Sequence, residues 1–328
     1  MPAGVFAGIG RLEVQERPLP RVEQPGDVVL DVEACGICGT DLQILAEPPG
    51  HPATPGVVLG HEFVGVVAET GPAVAGLRAG DRVVVAPNIS CGECAACRRG
   101  QRNQCERFTT LGIFADGGLA TKVRVPAAQC HPVSDSLPAR VAALAEPLST
   151  VVHGVRQAAV FPGEAAVVIG AGPIGLMFVA LLTLAGASVV AVEPSPERAA
   201  LAARLGAARV VGPSEPLGER ADVVVDAVGS QLPAALDLAR AGGRILLFGV
   251  NAQARAEVAQ ERITRGELTI LGSFVGQDVF PDAIRLLEQG RLDLEPLVTH
   301  RLGLAELPAA LAELRAGRAV KVEVEPAA

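Results

Sequence analysis

The stretch from Ala165 to Glu193 constrains the fold of this 328-residue chain more than any other. No charged residue occurs between Ala165 and Val192, a run long enough to cross a bilayer if it formed one helix. Its pattern is not that of one helix. Gly170, Gly172, Pro173 and Gly175 interrupt it, and β-branched runs stand at both ends. A strand Ala166–Ile169, a glycine turn, an apolar helix through Ala185 and a second strand Ser188–Val192 account for it better. The turn reads Gly170-Ala171-Gly172-Pro173-Ile174-Gly175, and Glu193 follows eighteen residues after Gly175. A strand before, a helix after and an acid at that distance turn a weak motif into a dinucleotide-binding β-α-β unit. The glycines let the backbone approach a pyrophosphate, and the helix N-terminus stabilises its charge. Glu193 would accept hydrogen bonds from an adenosine ribose and repel a 2′-phosphate, favouring NAD over NADP. Arg198, one turn into the next helix, reads as a solvated side chain or, alternatively, as a cation that softens that preference.

The alternation continues with helix Pro196–Leu205, strand Asp222–Asp226, helix Leu232–Arg240, strand Arg244–Phe248 and strand Leu268–Phe274. Such alternation implies a parallel sheet covered on both faces. Val228, Val250 and Ser273 follow strand ends, where open α/β sheets bind ligands. Beyond them the pattern predicts a helix Phe280–Glu288, a loop around Pro296–His300, a helix Leu304–Leu314 and a final strand Val320–Val324 that rejoins the first domain.

The first 150 residues have a different character: short strands separated by Gly and Pro, as in a small irregular β-barrel. Strand Asp27–Val32 leads to Cys35-Gly36-Ile37-Cys38-Gly39-Thr40-Asp41, and Val57-Val58-Leu59 leads to Gly60-His61-Glu62. A thiol, an imidazole and a carboxylate are ligand types that suit Zn²⁺. Cys91, Cys94, Cys97 and Cys105 fall within fifteen residues, a spacing that closes a tetrahedral and therefore structural zinc site. Arginines 98, 99, 102 and 107 beside it more simply offset thiolate charge than bind nucleic acid. Glu146 opens a helix through His153, where the dipole favours an ionised carboxylate.

A net charge of −8 disfavours nucleic acid or an anionic membrane as partner. Seven clustered cysteines and no signal-peptide pattern fit a reducing cytoplasm. With no Trp and no Tyr, any pocket must be lined by aliphatic side chains and Phe.

Together these features resemble the zinc-dependent medium-chain alcohol dehydrogenase family over essentially the whole chain. The family signature is carried by Gly60, His61, Glu62, Gly65, Gly71 and Val74, and Glu146-Pro147-Leu148 resembles the sorbitol, threonine and butanediol dehydrogenase branch. The resemblance implies an α/β chain of two domains. One is a β-rich, chaperonin-10-like catalytic domain (1–150 and 286–328), the other a Rossmann doubly wound parallel-sheet domain (151–285). It implies two Zn²⁺ per chain, with Cys38, His61, Glu62 and Glu146 sharing the catalytic one and Cys91, Cys94, Cys97 and Cys105 holding the structural one. Asp41 would hold the far nitrogen of His61, and Thr40 would take the proton of the substrate hydroxyl. Gly170, Gly172, Pro173, Ile174, Gly175, Glu193, Arg198, Val228, Val250 and Ser273 would bind the coenzyme. A homodimer or homotetramer acting on a small alcohol or ketone follows, with Leu268–Phe274 as the paired edge. The same fold also serves carbonyl reductases of biosynthesis; a non-catalytic zinc and NAD sensor would not need the whole site. One departure stands out: Gln43 occupies the place where many relatives carry a proton-relaying His, leaving that duty to water, a ribose or a group such as His51.

Overall fold

The computed structural model describes residues 1–327. They form two compact units, one of Met1–Pro147, Phe280–Gln289 and the segment from Val298 onward, the other of Leu148–Val279 and Gly290–Leu297.

The first unit is built on the strand Asp27–Ile37, which pairs antiparallel with Glu62–Thr70, Lys122–Pro126 and Lys321–Glu325. The sheet runs on through Arg82–Val85 to Cys130–Pro132 on one side and to Val298–Gly303 on the other. Val28, Leu30, Val32, Phe63, Val83, Val322 and Val324 fill its core. Each fully buried side chain of this kind contributes about 1.5–3 kcal/mol, which fixes the register of these strands. Signature glycines serve close packing. A Cβ on Gly65 would lie 2.5 Å from the carbonyl oxygen of Asp31 on the neighbouring strand.

The second unit is a six-stranded parallel sheet in the order Arg209–Val211, Ser188–Val192, Ala165–Ile169, Ala221–Asp226, Ala239–Leu247, Thr269–Gly272. The strand order reverses direction at Ala165–Ile169, so a crevice opens beyond its carboxyl end. The helix Pro173–Leu184 is buried along most of its length, as its charge-free sequence requires. Among the described residues no helix is long and apolar enough to cross a membrane.

Two expectations change, and two elements are new. The helix ends at Leu238, and Ala239, with φ −77° and ψ 135°, already belongs to a strand. Pairing with Ala221 overrides the helical pattern there. Val298–Gly303 is a strand rather than a loop, because it pairs in parallel with the last strand. Pro2–Gly8, read only for leader character, pairs antiparallel with Arg11–Glu16. Gln260–Gly266 is a helix. The helix Phe280–Glu288 lies wholly within the first unit, and its Phe280 ring stacks on His131 at 5.0 Å.

Candidate active site: a metal corner and a coenzyme cavity

Cys38 stands where the strand Asp27–Ile37 gives way to the short helix Gly39–Ile44. The Asp41 carboxylate accepts the Cys38 backbone N–H at 2.8 Å, so the Cys-Gly-Thr-Asp sequence closes its own helix start and fixes the thiol. His61 and Glu62 sit at the start of the strand Glu62–Thr70. Gly60, at φ +92°, makes the turn into it, and a Cβ there would come within 2.5 Å of Cys35 Sγ. Cys35 is thus a packing neighbour of the ligands, fully buried, with its thiol pushed well up by burial.

The donor atoms of Cys38, His61 and Glu62 lie within 4.8 Å of one another. Glu146, in the first turn of Ala145–Ala158, is not in that cluster, yet it is buried and burial raises its carboxyl to about 7, with the His61 charge opposing. His61 is held above its ordinary range: burial works against the charge, but Cys38 and Asp41 outweigh it. A soft thiolate, an imidazole and a carboxylate converging in a buried corner fit Zn²⁺, and three donors leave a position open.

The expected Asp41–His61 hydrogen bond is not made. Asp41 Oδ1 is 3.8 Å from His61 Nδ1, and neither atom has a partner. The other carboxylate oxygen is engaged in capping Cys38, which holds the group back.

Sequence reasoning missed Lys321. This buried lysine on the last strand forms an ion pair with Glu62 and donates to the Ile37 carbonyl at 3.0 Å. Its pKa is raised: burial opposes the charge, and Glu62 and Cys38 more than compensate. Gly36 makes room for the pair, since a Cβ there would lie 2.5 Å from Glu62 Oε2 and 2.9 Å from Lys321 Cε. The one available signal was compositional, Lys321 being one of two lysines in an arginine-rich chain. Thr40 is half-exposed in the first turn after Cys38. His51 places Nδ1 2.7 Å from the Pro52 carbonyl, with its ring 6.3 Å from that of Phe114.

The sulfurs of Cys91, Cys94, Cys97 and Cys105 also gather within 4.8 Å, with separations of 3.5–4.0 Å among them. A tetrahedron with Zn–S bonds of about 2.3 Å has edges of about 3.8 Å, so the four fit one closed zinc site. Backbone N–H groups of Glu93 and Cys94 lower the Cys91 thiol to about 6, which prepares it as a thiolate.

In the second unit a cavity of about 700 Å³ opens at the carboxyl ends of the parallel strands. Gly170, Gly172, Glu193, Arg198 and Val228 line it, as expected; Pro173, Ile174, Gly175, Val250 and Ser273 are not among the lining residues. Gly175 instead packs the helix on the turn, where a Cβ would collide with the Gly170 carbonyl. At Gly172 a Cβ would meet no protein atom within 4 Å, although the helix begins there. The open space beside an N-terminus fits the pyrophosphate of a dinucleotide. Glu193 is buried, and its carboxylate accepts N–H groups from Ala171 at 2.7 Å and Ser195 at 2.9 Å. Arg198 Nε is buried without a partner. Gly212, Glu215 and Gln231 also line the cavity, and no motif announced them.

Residues 24–135 match the Alcohol dehydrogenase GroES-like domain and residues 173–289 the Zinc-binding dehydrogenase domain. D-altritol 5-dehydrogenase of Agrobacterium fabrum (strain C58) is 39% identical over 94% of this chain and 94% of that protein. The chain belongs to the zinc-dependent medium-chain alcohol dehydrogenases. D-xylulose reductase A of Aspergillus niger is 32% identical, over 97% of this chain and 94% of its own. A Sinorhizobium meliloti 1021 zinc-binding dehydrogenase solved with NADP superposes with a TM-score of 0.94 at 34% identity, covering 99% of both chains. Among family members this chain falls with the polyol dehydrogenases, and it is a zinc-dependent oxidoreductase of alcohols or polyols that uses a nicotinamide coenzyme.

Proposed function

We propose that this dehydrogenase oxidises a secondary hydroxyl of a polyol with NAD⁺, at the corner formed by Cys38, His61, Glu62 and Glu146. The observation that carries this reading is the three-donor cluster with an open position, set against the closed four-thiolate group of the same chain. When bound, the open-site Zn²⁺ acts as a Lewis acid toward the substrate oxygen, and the nicotinamide takes the hydride. Cys38 and His61 would hold the metal as thiolate and imidazole, with Glu62 and Glu146 sharing the remaining protein position in turn, so that one position stays open to substrate. Lys321 keeps one Glu62 oxygen engaged, so Glu62 offers its other oxygen. Thr40 receives the hydroxyl proton and passes it outward, and Gln43 leaves that route to water or to a group such as His51.

Support for NAD over NADP lies in Glu193 and Glu215, two carboxylates lining a cavity with Arg198 as the facing cation. A 2′-phosphate would meet both acids. The Sinorhizobium relative carries NADP, so the preference is a property of this cavity's own side chains. Two Zn²⁺ per chain follow from two donor clusters. A homodimer or homotetramer is supported by the strand Thr269–Gly272, the last of its sheet, whose outer edge has no partner strand among the described residues.

The test is initial-rate measurement of NAD⁺ reduction with D-altritol and other polyols, and of NADH oxidation with D-xylulose, with zinc counted per chain. Wild type is expected to hold about two zinc and Cys38→Ser about one, with activity lower by about 10³-fold or more. Inert polyols, or unchanged zinc in Cys38→Ser, would remove the proposal.

A further inference from the structure

At the end of one strand in the second unit, side-chain and backbone hydrogen bonds around a single aspartate join three loops beside the coenzyme cavity. Asp226, the last residue of the strand Ala221–Asp226, is 1% exposed. Its Oδ1 accepts the N–H groups of Val228 at 2.9 Å and Gly229 at 2.8 Å, and its Oδ2 accepts that of Gln231 at 2.7 Å. Its backbone carbonyl accepts from Phe248 at 3.1 Å and Gly249 at 2.9 Å, in the loop after the next strand. The Ala227 N–H reaches the Ile169 carbonyl at 3.1 Å, just before the glycine turn.

The three loops meet with no spare room. A Cβ on Gly229 would lie 2.6 Å from the carbonyl carbon of Gly249, and one on Gly170 would lie 2.6 Å from Val228 Cγ2. Ala227, Val228 and Gln231 are cavity-lining residues, as are Glu193 and Gly212. Val228 is nevertheless 47% exposed, so its own packing does not hold it in place. Hydrogen bonds to a charged acceptor are the strong kind, and three on one buried carboxylate fix the loop's backbone.

We propose that Asp226 is a positioning residue for the coenzyme: it sets the Ala227–Gln231 loop as the wall on which the adenosine half rests. The proposal rests on reading this cavity as the nucleotide site. Asp226 is not itself a lining residue of the cavity, so its loss is expected to act on coenzyme affinity and to leave hydride transfer intact.

The experiment uses the zinc-loaded enzyme with NADH, and AMP as the probe of the adenosine half. In Asp226→Asn the amide group can accept from Val228 and Gly229 but presents N–H to the Gln231 N–H. The dissociation constants of NADH and AMP are expected to rise by about ten-fold, with KM for NAD⁺ rising in step. At saturating NAD⁺, kcat and KM for the polyol stay within about two-fold, a split that general destabilisation would not give. In the wild type alone, AMP is expected to slow hydrogen exchange in the 226–231 segment, a readout that survives if the variant misfolds. Unchanged AMP affinity in Asp226→Asn, or unchanged exchange in 226–231 on AMP binding, overturns the inference. Failure of the wild type to bind NADH at all would instead overturn the nucleotide reading beneath it.

Discussion

Lys321 and Glu62 are buried together over Gly36, and each leaves a strong charge behind if the other is removed. Lys321→Ala is expected to lower stability by about 3–5 kcal/mol, because Glu62 is then an unpaired buried carboxylate. Lys321→Met combined with Glu62→Gln should recover most of that loss in denaturant unfolding, while still impairing zinc retention. An additive double variant would contradict the pairing. Gly172 makes the opposite case. Its backbone is extended, at φ −67° and ψ −179°, and a Cβ would touch nothing in the protein. Gly172→Val should therefore change the melting temperature by only about 2 °C while weakening NADH binding by about ten-fold or more, measured by NADH fluorescence. Equal affinity would show that the space beside this N-terminus is not used by the pyrophosphate.

Strands carry the second kind of consequence. Lys321–Glu325 sends Val322 and Val324 into the core and alternates with Lys321 and Glu323, and both Glu323 oxygens are buried without a partner. Burial raises Glu323 from the ordinary 4.5 to about 8, with the Lys321 charge opposing. The folded state thus binds a proton that the unfolded chain has released, and stability falls as pH climbs from about 4.5 to about 8. Glu323→Gln has no such loss. Its stability advantage over wild type should be near zero at pH 4.5 and at least about 1 kcal/mol at pH 9, read from urea midpoints. A pH-independent difference would refute the buried-carboxyl account. The same strand shows why the sequence was legible in parts. Period-two alternation gave its position, and the glycine turn with Glu193 gave the first β-α-β of the second unit closely. What stayed hidden depended on partners distant in sequence: Lys321 meets Glu62 259 positions away. Val298–Gly303 is a strand only because the last strand lies beside it. Asp226 looked like the end of a strand, and nothing local announces three N–H groups folding back onto it.

At the scale of the whole molecule, each unit brings one part of an oxidoreductase: a zinc corner with an open position, and a dinucleotide cavity at a topological switch point. Cys38 and His61, which the family resemblance singled out as candidate ligands, sit at element ends beside glycines. Glu215 and Gln231 line the cavity although no motif records them. We predict that carbon-bound hydrogen of a polyol moves as hydride to NAD⁺ in this protein. It is tested most directly by incubating the zinc-loaded enzyme with NAD⁺ and D-altritol deuterated at every carbinol carbon, then weighing the NADH formed. One deuterium per NADH is the predicted result, and it should disappear with the activity in Cys38→Ser. NADH formed without deuterium, or no NADH from any deuterated polyol of a broad panel, would contradict the claim.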